Sequence, residues 1–390
     1  MVDGKVVVTP SDRFFALAPR NGAVEVIERG ERDFLYLNDG KGNFAPVSWT
    51  SGAFLDEEGK PLTAPPTDWG LSVMFRDING DGLPDIYVCN DFFHSPDRVW
   101  LNESGRSFRA IPRLALRNMS ASSMAIDFAD IDRNGFDDFF VAEMLNREHQ
   151  ARQRHRENIV KREWNLPVAD PGYRPEVPRN TLQLNRGDGT FAEVAQLSGL
   201  AQSDWTWSAL FLDVDLDGYE DLLMATGHHY DVQDTDTLRE LSQMRQRERG
   251  EDRLRNLRRF PRLDAEKLAF RNLHDLTFAE AGRQWGFDTV GVSQGMALAD
   301  LDNDGDLDVI VNNLNAAAGI YRNESTAPRV AVRLKGQSPN TRGIGAKIWL
   351  YGGAARVQSQ EMICGGRYLS SDDPMRVFAA GNLTNEMRIE

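Results

Sequence analysis

Four stretches of this chain obey one pattern, D-x-[DN]-x-[DN]-G-x-x-D: DINGDGLPD at 77–85, DIDRNGFDD at 130–138, DVDLDGYED at 213–221 and DLDNDGDLD at 300–308. A second motif travels with them, as LYLNDGKGNF (35–44), VWLNESGRSF (99–108), LQLNRGDGTF (182–191), AFRNLHDLTF (269–278) and IYRNES (320–325). From Asn102 to Asp130, from Asn185 to Asp213 and from Asn272 to Asp300 the interval is 28 residues each time. A spacing held in three copies marks one supersecondary unit repeated along the chain. Such a unit cannot bury its apolar face alone and stacks on its copies.

The units read as strands. Before each acidic loop apolar residues alternate with period two (Val73 and Phe75, Ile126 and Phe128, Ala209 and Phe211, Met296 and Leu298), and after it comes a short apolar run, IYVC, FFVA, LLMA or VIVN. The loop therefore joins two strands. Asp77 to Asp130 spans 53 residues, near the size of a four-stranded propeller blade. The next two units are longer by about 30 residues, inserted between the acidic loop and the following LN strand, in polar stretches rich in helix formers that read as surface helices broken at Gly250. The expected architecture is all-β: a β-propeller over 1–328 with helical insertions at about 143–180 and 228–268, then a small β module over 329–390.

Five aspartates crowd into residues 300–308, and two carboxylates about 4 Å apart repel by about 4 kcal/mol near a protein surface. Something positive is expected among them. Alternate side chains of a turning backbone can point at one centre, glycine in the sixth position permits the bend, and hard Ca²⁺ takes six to eight oxygen ligands. Positions 1, 3, 5 and 9, with the backbone carbonyl at 7, give four ligand sets: Asp77, Asn79, Asp81, Leu83 and Asp85; Asp130, Asp132, Asn134, Phe136 and Asp138; Asp213, Asp215, Asp217, Tyr219 and Asp221; and Asp300, Asp302, Asp304, Asp306 and Asp308. Mg²⁺ dehydrates reluctantly and works with fewer carboxylates, so about four Ca²⁺ are expected, in a structural role. The two loops with an asparagine ligand are expected to bind more weakly than the two with four carboxylates. Four bound Ca²⁺ would take the formal charge from −14 to −6.

That acidity argues against nucleic-acid binding, which needs a basic footprint. No apolar stretch is long enough to cross a membrane as a helix, and the N-terminus has no signal-peptide pattern. Cys89 and Cys364 are too few for a disulfide framework.

The paired motifs DLDNDGDLDVIV with YRNES, and DVDLDGYEDLLMATG with LQLNRGDGTF, resemble FG-GAP or VCBS repeats, the calcium-loop propeller blades also found in integrin α-subunit heads. The tail from 340 to 383, with IGA, GG and GGRYLS, is similar to the ASPIC/UnbV module. Together with CNDFFHSPDRVWLN and TGHHYD they resemble the cartilage acidic protein family in its bacterial form. The resemblance implies a secreted or periplasmic, seven-bladed, calcium-binding propeller followed by a small β module, with no established catalytic activity. The chain departs from that pattern by opening inside a blade, by carrying four intact loops and by lacking the usual closing strand after MRIE. It reads as five or six blades of a fragment or truncated form.

Other residues admit two readings each. His228, His229, Asp231, Asp234 and Asp236 are a metal site or general base on the propeller face, or a loop edge at an interface; adjacent histidines point apart on a strand, which favours the second. His94, beside Phe92 and Phe93, is treated alike. The insertions carry +2 (143–166) and +3 (236–259) against the acidic remainder. They either dock an anionic partner or rest on the propeller through Leu238, Leu241, Met244, Leu254 and Leu257. The N-x-[ST] sequons at Asn102, Asn118, Asn323 and Asn382 follow in two cases from the LN motif. No nucleophile elbow, Walker A loop or H-E-x-x-H is present. The expected function is a non-enzymatic, extracytoplasmic protein that engages a protein or glycan at the cell surface. The competing expectation is a polysaccharide lyase-like enzyme using His228, His229 or Tyr230.

Overall fold

The alternating apolar segments form antiparallel sheets, each made from one repeat. The computed structural model describes residues 15–20, 23–28, 30–91, 95–155, 174–244, 253–382 and 386–390. Blade A consists of Gly70–Arg76, Asp85–Asn90, Arg98–Glu103 and Ser107–Ala110, with Phe54–Leu55 added in parallel at its outer edge. Blade B is Ala125–Ala129, Asp138–Ala142, Thr181–Asn185 and Phe191–Glu193. Blade C is Thr206–Leu212, Asp221–Thr226, Leu268–Asn272 and Phe278–Glu280. Blade D has three strands, Ser293–Ala299, Asp308–Asn313 and Gly319–Tyr321. In every blade the acidic loop joins the first strand to the second, and the LN motif ends the third. Two separate hairpins, Phe15–Arg20 with Ala23–Glu28 and Tyr36–Asn38 with Phe44–Pro46, precede blade A.

The first strands of blades A to D lie side by side in chain order, and the blades bury their faces against one another. Met74, Tyr87 and Cys89 of A meet Ile126, Phe128 and Phe139 of B; Phe140 and Leu182 of B meet Phe211, Leu222 and Phe270 of C; Leu212 and Leu223 of C meet Met296, Leu298 and Val309 of D. Each buried large side chain contributes about 1.5–3 kcal/mol. Blade A breaks the expected alternation: Val73 and Phe75 are each 46% exposed, while Met74 and Arg76 face blade B. Among the described residues, the outer face of A packs on Trp49, Phe54 and neighbouring side chains of the preceding segment rather than on a full blade.

The helices fall within the long insertions and after the fourth strands. Residues 149–155 are helical. Thr235–Gln243 is a helix whose N-cap Asp234 accepts a hydrogen bond from the Thr237 amide at 2.8 Å, and Arg253–Leu257 adds a short turn of helix. Leu238, Leu241, Met244 and Leu257 are half-buried. The expected break at Gly250 and the reach of the first insertion beyond residue 155 lie outside the described residues, as do His94, Phe92 and Phe93.

The C-terminal segment does more than trail the blades. Arg329–Val332 pairs with Arg376–Ala379, and Lys347–Tyr351 lies between Val357–Glu361 and Arg388–Ile389. Met375, Val377 and Ala379 join the core between C and D, and Ile363 joins that between A and B. The Leu298 amide donates to Asp372 Oδ1 at 3.0 Å, and the Asp373 amide to the Leu298 carbonyl at 2.8 Å. Around a small cavity of about 50 Å³ at this junction, charges alternate. Arg76 reaches Asp137 (2.9 Å) and Glu361 (3.5 Å), Lys347 reaches the other oxygen of Asp137 (2.7 Å), and Arg367 bridges Asp127 and Asp372. The side chains of Arg76 and Arg367 are both 5% exposed, so the network sits where an unpaired charge is costly.

Removing one partner of a buried ion pair strands the other, at about 3–5 kcal/mol. Arg367→Ala is therefore expected to lower unfolding stability by about that amount in urea titration. Arg367→Met combined with Asp127→Asn and Asp372→Asn should recover most of it, because no buried charge is then left alone.

Candidate metal centres

Each acidic loop wraps its backbone around its own carboxylates. The position-1 aspartate accepts amides from the far side of the turn: Asp77 from Asp81 and Gly82, Asp130 from Asn134 and Gly135, Asp213 from Asp217 and Gly218, Asp300 from Asp304 and Gly305, all between 2.9 and 3.3 Å. The glycine in position 6 is left-handed every time, with φ of +82°, +93°, +98° and +93° in Gly82, Gly135, Gly218 and Gly305, which is why only glycine suits that position. The position-5 side chain accepts the amide of position 7, as in Asp81 from Leu83 and Asn134 from Phe136.

The position-9 aspartate ties the loop to the LN strand. One oxygen of Asp85, Asp138, Asp221 and Asp308 accepts the amide at loop position 2 (Ile78, Ile131, Val214, Leu301). The other accepts the amide of the LN asparagine (Asn102, Asn185, Asn272, Asn323), with all eight distances between 2.6 and 3.1 Å. The asparagine amide then closes the loop's base. Asn272 Nδ2 donates to the Glu220 carbonyl in its own blade (3.2 Å) and to the Ile131 carbonyl in blade B (3.0 Å), and Asn323 Nδ2 donates to the Val214 carbonyl in blade C (2.9 Å). Sequence reasoning missed this pinning role, although the constant 28-residue interval was its trace. Two of the sequon asparagines, Asn102 and Asn323, are thus engaged inside the fold.

Three carboxylate groups converge among the described residues: Asp130, Asp132 and Asp138; Asp213, Asp215 and Asp221; and Asp300, Asp302 and Asp304. Within each group one oxygen per residue lies within 4.8 Å of the others. The first loop forms no such group; its Asn79 turns its amide onto Asp81 Oδ2 at 3.1 Å. In the fourth, Asp308 stands apart from the converging three. Asp306, expected to contribute only its carbonyl, has a buried side chain held by Arg329 at 2.7 Å. The donors are all oxygen, which suits a hard cation, and two of the three groups are partly buried.

Burial makes several carboxylates of the first three loops reluctant to ionise without a counter-charge. Desolvation lifts Asp85 to about 7 and Asp130 to about 6, and raises Asp138, Asp213 and Asp221 well above the ordinary range. In the third loop Asp215 is also raised, by burial and then by Asp217. The four-carboxylate loops were expected to be the stronger sites, but both carry a local offset. Arg271 sits 2.6 Å from Asp215, His274 sits 2.9 Å from Asp217, and Arg322 sits 3.9 Å from Asp302. At the positions of Arg271 and Arg322, blades A and B have Leu101 and Leu184. The extra acid is accompanied by an extra base, which narrows the expected difference.

The histidine cluster lies at the opposite end of the blade strands. His228 stacks on Trp205 (4.1 Å between ring centres) and Trp207 (5.7 Å), and burial lowers its pKa. His229 meets Tyr230 edge-on and Arg262 at 3.3 Å. Asp231 pairs with the buried His155 at 2.9 Å, a partner the sequence did not point to. Asp234 caps the insertion helix and Asp236 is exposed. The five residues do not converge on one point. Arginines of the insertions are paired in place: Arg154 with Asp234, Arg239 with Asp236, and Arg259 with Glu240. Cys89 and Cys364 are both free thiols, the first buried and the second exposed.

Residues 21–88, 77–141 and 168–224 match the FG-GAP-like repeat, and residues 336–390 match ASPIC and UnbV. The chain carries FG-GAP-like repeats followed by an ASPIC/UnbV domain. The fourth acidic loop lies outside the matched FG-GAP-like residues yet repeats the hydrogen bonds of their position-1 and position-9 aspartates. A comparison with curated proteins finds no match. Among solved structures, a similar chain is a lectin from Agrocybe aegerita, described by its specific recognition of non-reducing terminal N-acetylglucosamine. It is 15% identical, with a TM-score of 0.34, and the alignment covers 80% of this chain and 66% of the lectin. No described helix is long and apolar enough to cross a membrane.

Two measurements follow from the FG-GAP-like loops. A carboxyl raised in the folded state stabilises below its unfolded value near 4, and that contribution is lost as pH rises through the folded value. In chelator the melting temperature is therefore expected to fall between pH 5 and pH 8, the window set by Asp85 and Asp130, and calcium should flatten or reverse that slope. Asn272→Ala removes two buried hydrogen bonds and leaves carbonyls of two blades unsatisfied, so denaturant unfolding should show a loss of about 2–4 kcal/mol.

Proposed function

We propose that this chain is an extracytoplasmic, calcium-binding interaction protein, in which Ca²⁺ braces the blade turns and the assembled surface engages a protein or glycan partner at the cell surface. The reading rests on one observation: oxygen-only carboxylate groups recur at the same turn of three successive blades, and the position-9 aspartate of each of those turns accepts an amide from the LN strand. The ligands we assign are the side chains at positions 1, 3, 5 and 9 of each loop with the carbonyl at position 7. Bound Ca²⁺ would supply positive charge to carboxylates that burial otherwise drives toward protonation. FG-GAP-like repeats with an ASPIC/UnbV domain support an extracellular interaction role. Sites of moderate affinity fill where calcium is abundant, outside the cytosol. The tail and the TGHHYD stretch support placing the chain near the cartilage acidic protein family.

With free calcium at about 100 times its dissociation constant, each site adds about 2.7 kcal/mol. Chelation is expected to lower the melting temperature by several degrees, magnesium at equal concentration to restore it only in part, and Asp213→Asn to reduce the calcium stoichiometry in calorimetric titration by one. A melting curve that ignores both chelator and calcium would overturn the metal-brace reading.

A further inference from the structure

Among the described residues, blade D has no counterpart to the fourth strand of its three neighbours. In A, B and C the LN strand pairs outward with a fourth strand six residues on: Asn102 faces Phe108, Asn185 faces Phe191, and Asn272 faces Phe278. The carbonyls of Val99, Leu182 and Ala269 then accept amides of Ile111, Val194 and Ala281 at 2.8–2.9 Å. The phenylalanine plugs the seam with the preceding blade: Phe191 belongs to the core between A and B, and Phe278 to that between B and C. In blade D the sixth residue after Asn323 is Arg329, which has left the blade to pair with Ala379. Among the described residues, Gly319–Tyr321 has a strand on one side only.

The seam between C and D is open where that phenylalanine would sit. A groove of about 440 Å³ there has an apolar wall of Leu212, Val214, Leu223, Trp285, Val309 and Tyr321 and a polar rim that includes Asp215, Arg322 and Glu324. It continues the apolar interface between the two blades and lies within the size range of ligand pockets. Natural edge strands are blunted by Lys, Pro or bulges. This edge, Gly319–Tyr321, is short and is followed by Arg322, but it carries no Lys, Pro or bulge, and Ile320 is 68% exposed. An open strand edge beside a notch with one apolar wall is the acceptor geometry for strand addition, in which main-chain hydrogen bonds give affinity and a pocket for one side chain gives specificity.

We infer that the outer edge of blade D and the groove beneath it form a docking site for an extended segment of a partner protein carrying a phenylalanine after a serine or threonine. Three internal copies define that chemistry: Ser107-Phe108, Thr190-Phe191 and Thr277-Phe278. The incoming strand lies antiparallel to Gly319–Tyr321, and its ring enters between Leu223 and Tyr321. The inference gives the interaction reading above a place and a partner chemistry; it rests on that reading but not on the bound metal.

The test uses the full chain in calcium and a fluorescein-labelled peptide with the sequence of residues 187–194, GDGTFAEV, the fourth strand of blade B. Saturable binding by fluorescence anisotropy is expected, at least tenfold weaker for the peptide with alanine in place of phenylalanine, with slowed hydrogen exchange confined to residues 319–323. Arg322→Pro, which removes an edge amide, and Val214→Trp, which fills the groove, should each abolish binding while keeping the circular dichroism spectrum of the parent. Either variant that folds serves. Absence of saturable binding, or equal binding of the alanine peptide, overturns the proposal. Self-association of the chain that the peptide competes away also overturns it, by making a second copy the occupant. If the peptide fails while chelation still lowers the melting temperature, the docking site falls and the metal-brace reading stands.

Discussion

The position-9 carboxylate holds the repeat together. In each of the four loops a nearly solvent-free aspartate, 0% exposed in Asp85, Asp138 and Asp221 and 1% in Asp308, accepts one amide from its own turn and one from the neighbouring LN strand. Charge-assisted bonds of this kind are about twice as strong as neutral ones. They account for the recurrence side by side, within this chain, of two sequence motifs that have no local reason to travel together. The same burial creates a debt of charge. In Asp85, Asp138 and Asp221 burial pushes the carboxyl up and away from ionisation, so a positive ion beside such a turn would relieve the cost of its charge.

At the inner ends of the blades the charge problem is solved within the polypeptide. Arg76, Arg367 and Lys347 face Asp137, Glu361, Asp127 and Asp372 with little water between. Ion pairs so placed add little net stability over an apolar core of the same volume, but they punish misassembly strongly because any shift strands a charge. The ASPIC/UnbV segment is therefore held to one seat on the blades. The outer turns and the inner junction use the same side-chain chemistry in opposite ways, one open to an added cation and the other closed around its own.

Much of this was legible in the sequence. The period fixed the blades, and the D-x-[DN]-x-[DN]-G-x-x-D pattern named the converging carboxylates, because both depend on residues close together in the chain. What depends on distant partners was hidden. Asp77 and Glu361 are 284 positions apart and meet at 3.2 Å. Arg271 and Arg322 temper the two most acidic loops, and neither stands in the acidic motif. Val73 and Phe75 alternate as core residues should yet face outward, since alternation tells which residues share a face and not which face is covered. The missing fourth strand of blade D could have been seen, as arginine in place of phenylalanine six residues after Asn323.

Arg133 stands in the fourth position of the second loop, and its consequences extend past that loop. Its guanidinium donates to the Gly218 carbonyl in the third loop, pairs with Glu220 at 2.7 Å and lies 5.3 Å from the centre of the Tyr219 ring. With the Asn272 and Asn323 bridges, it stitches consecutive turns rim to rim. Loosening of one of these three turns is then transmitted sideways to the next, so the second, third and fourth turns stiffen and soften together, like a hem drawn by a single thread.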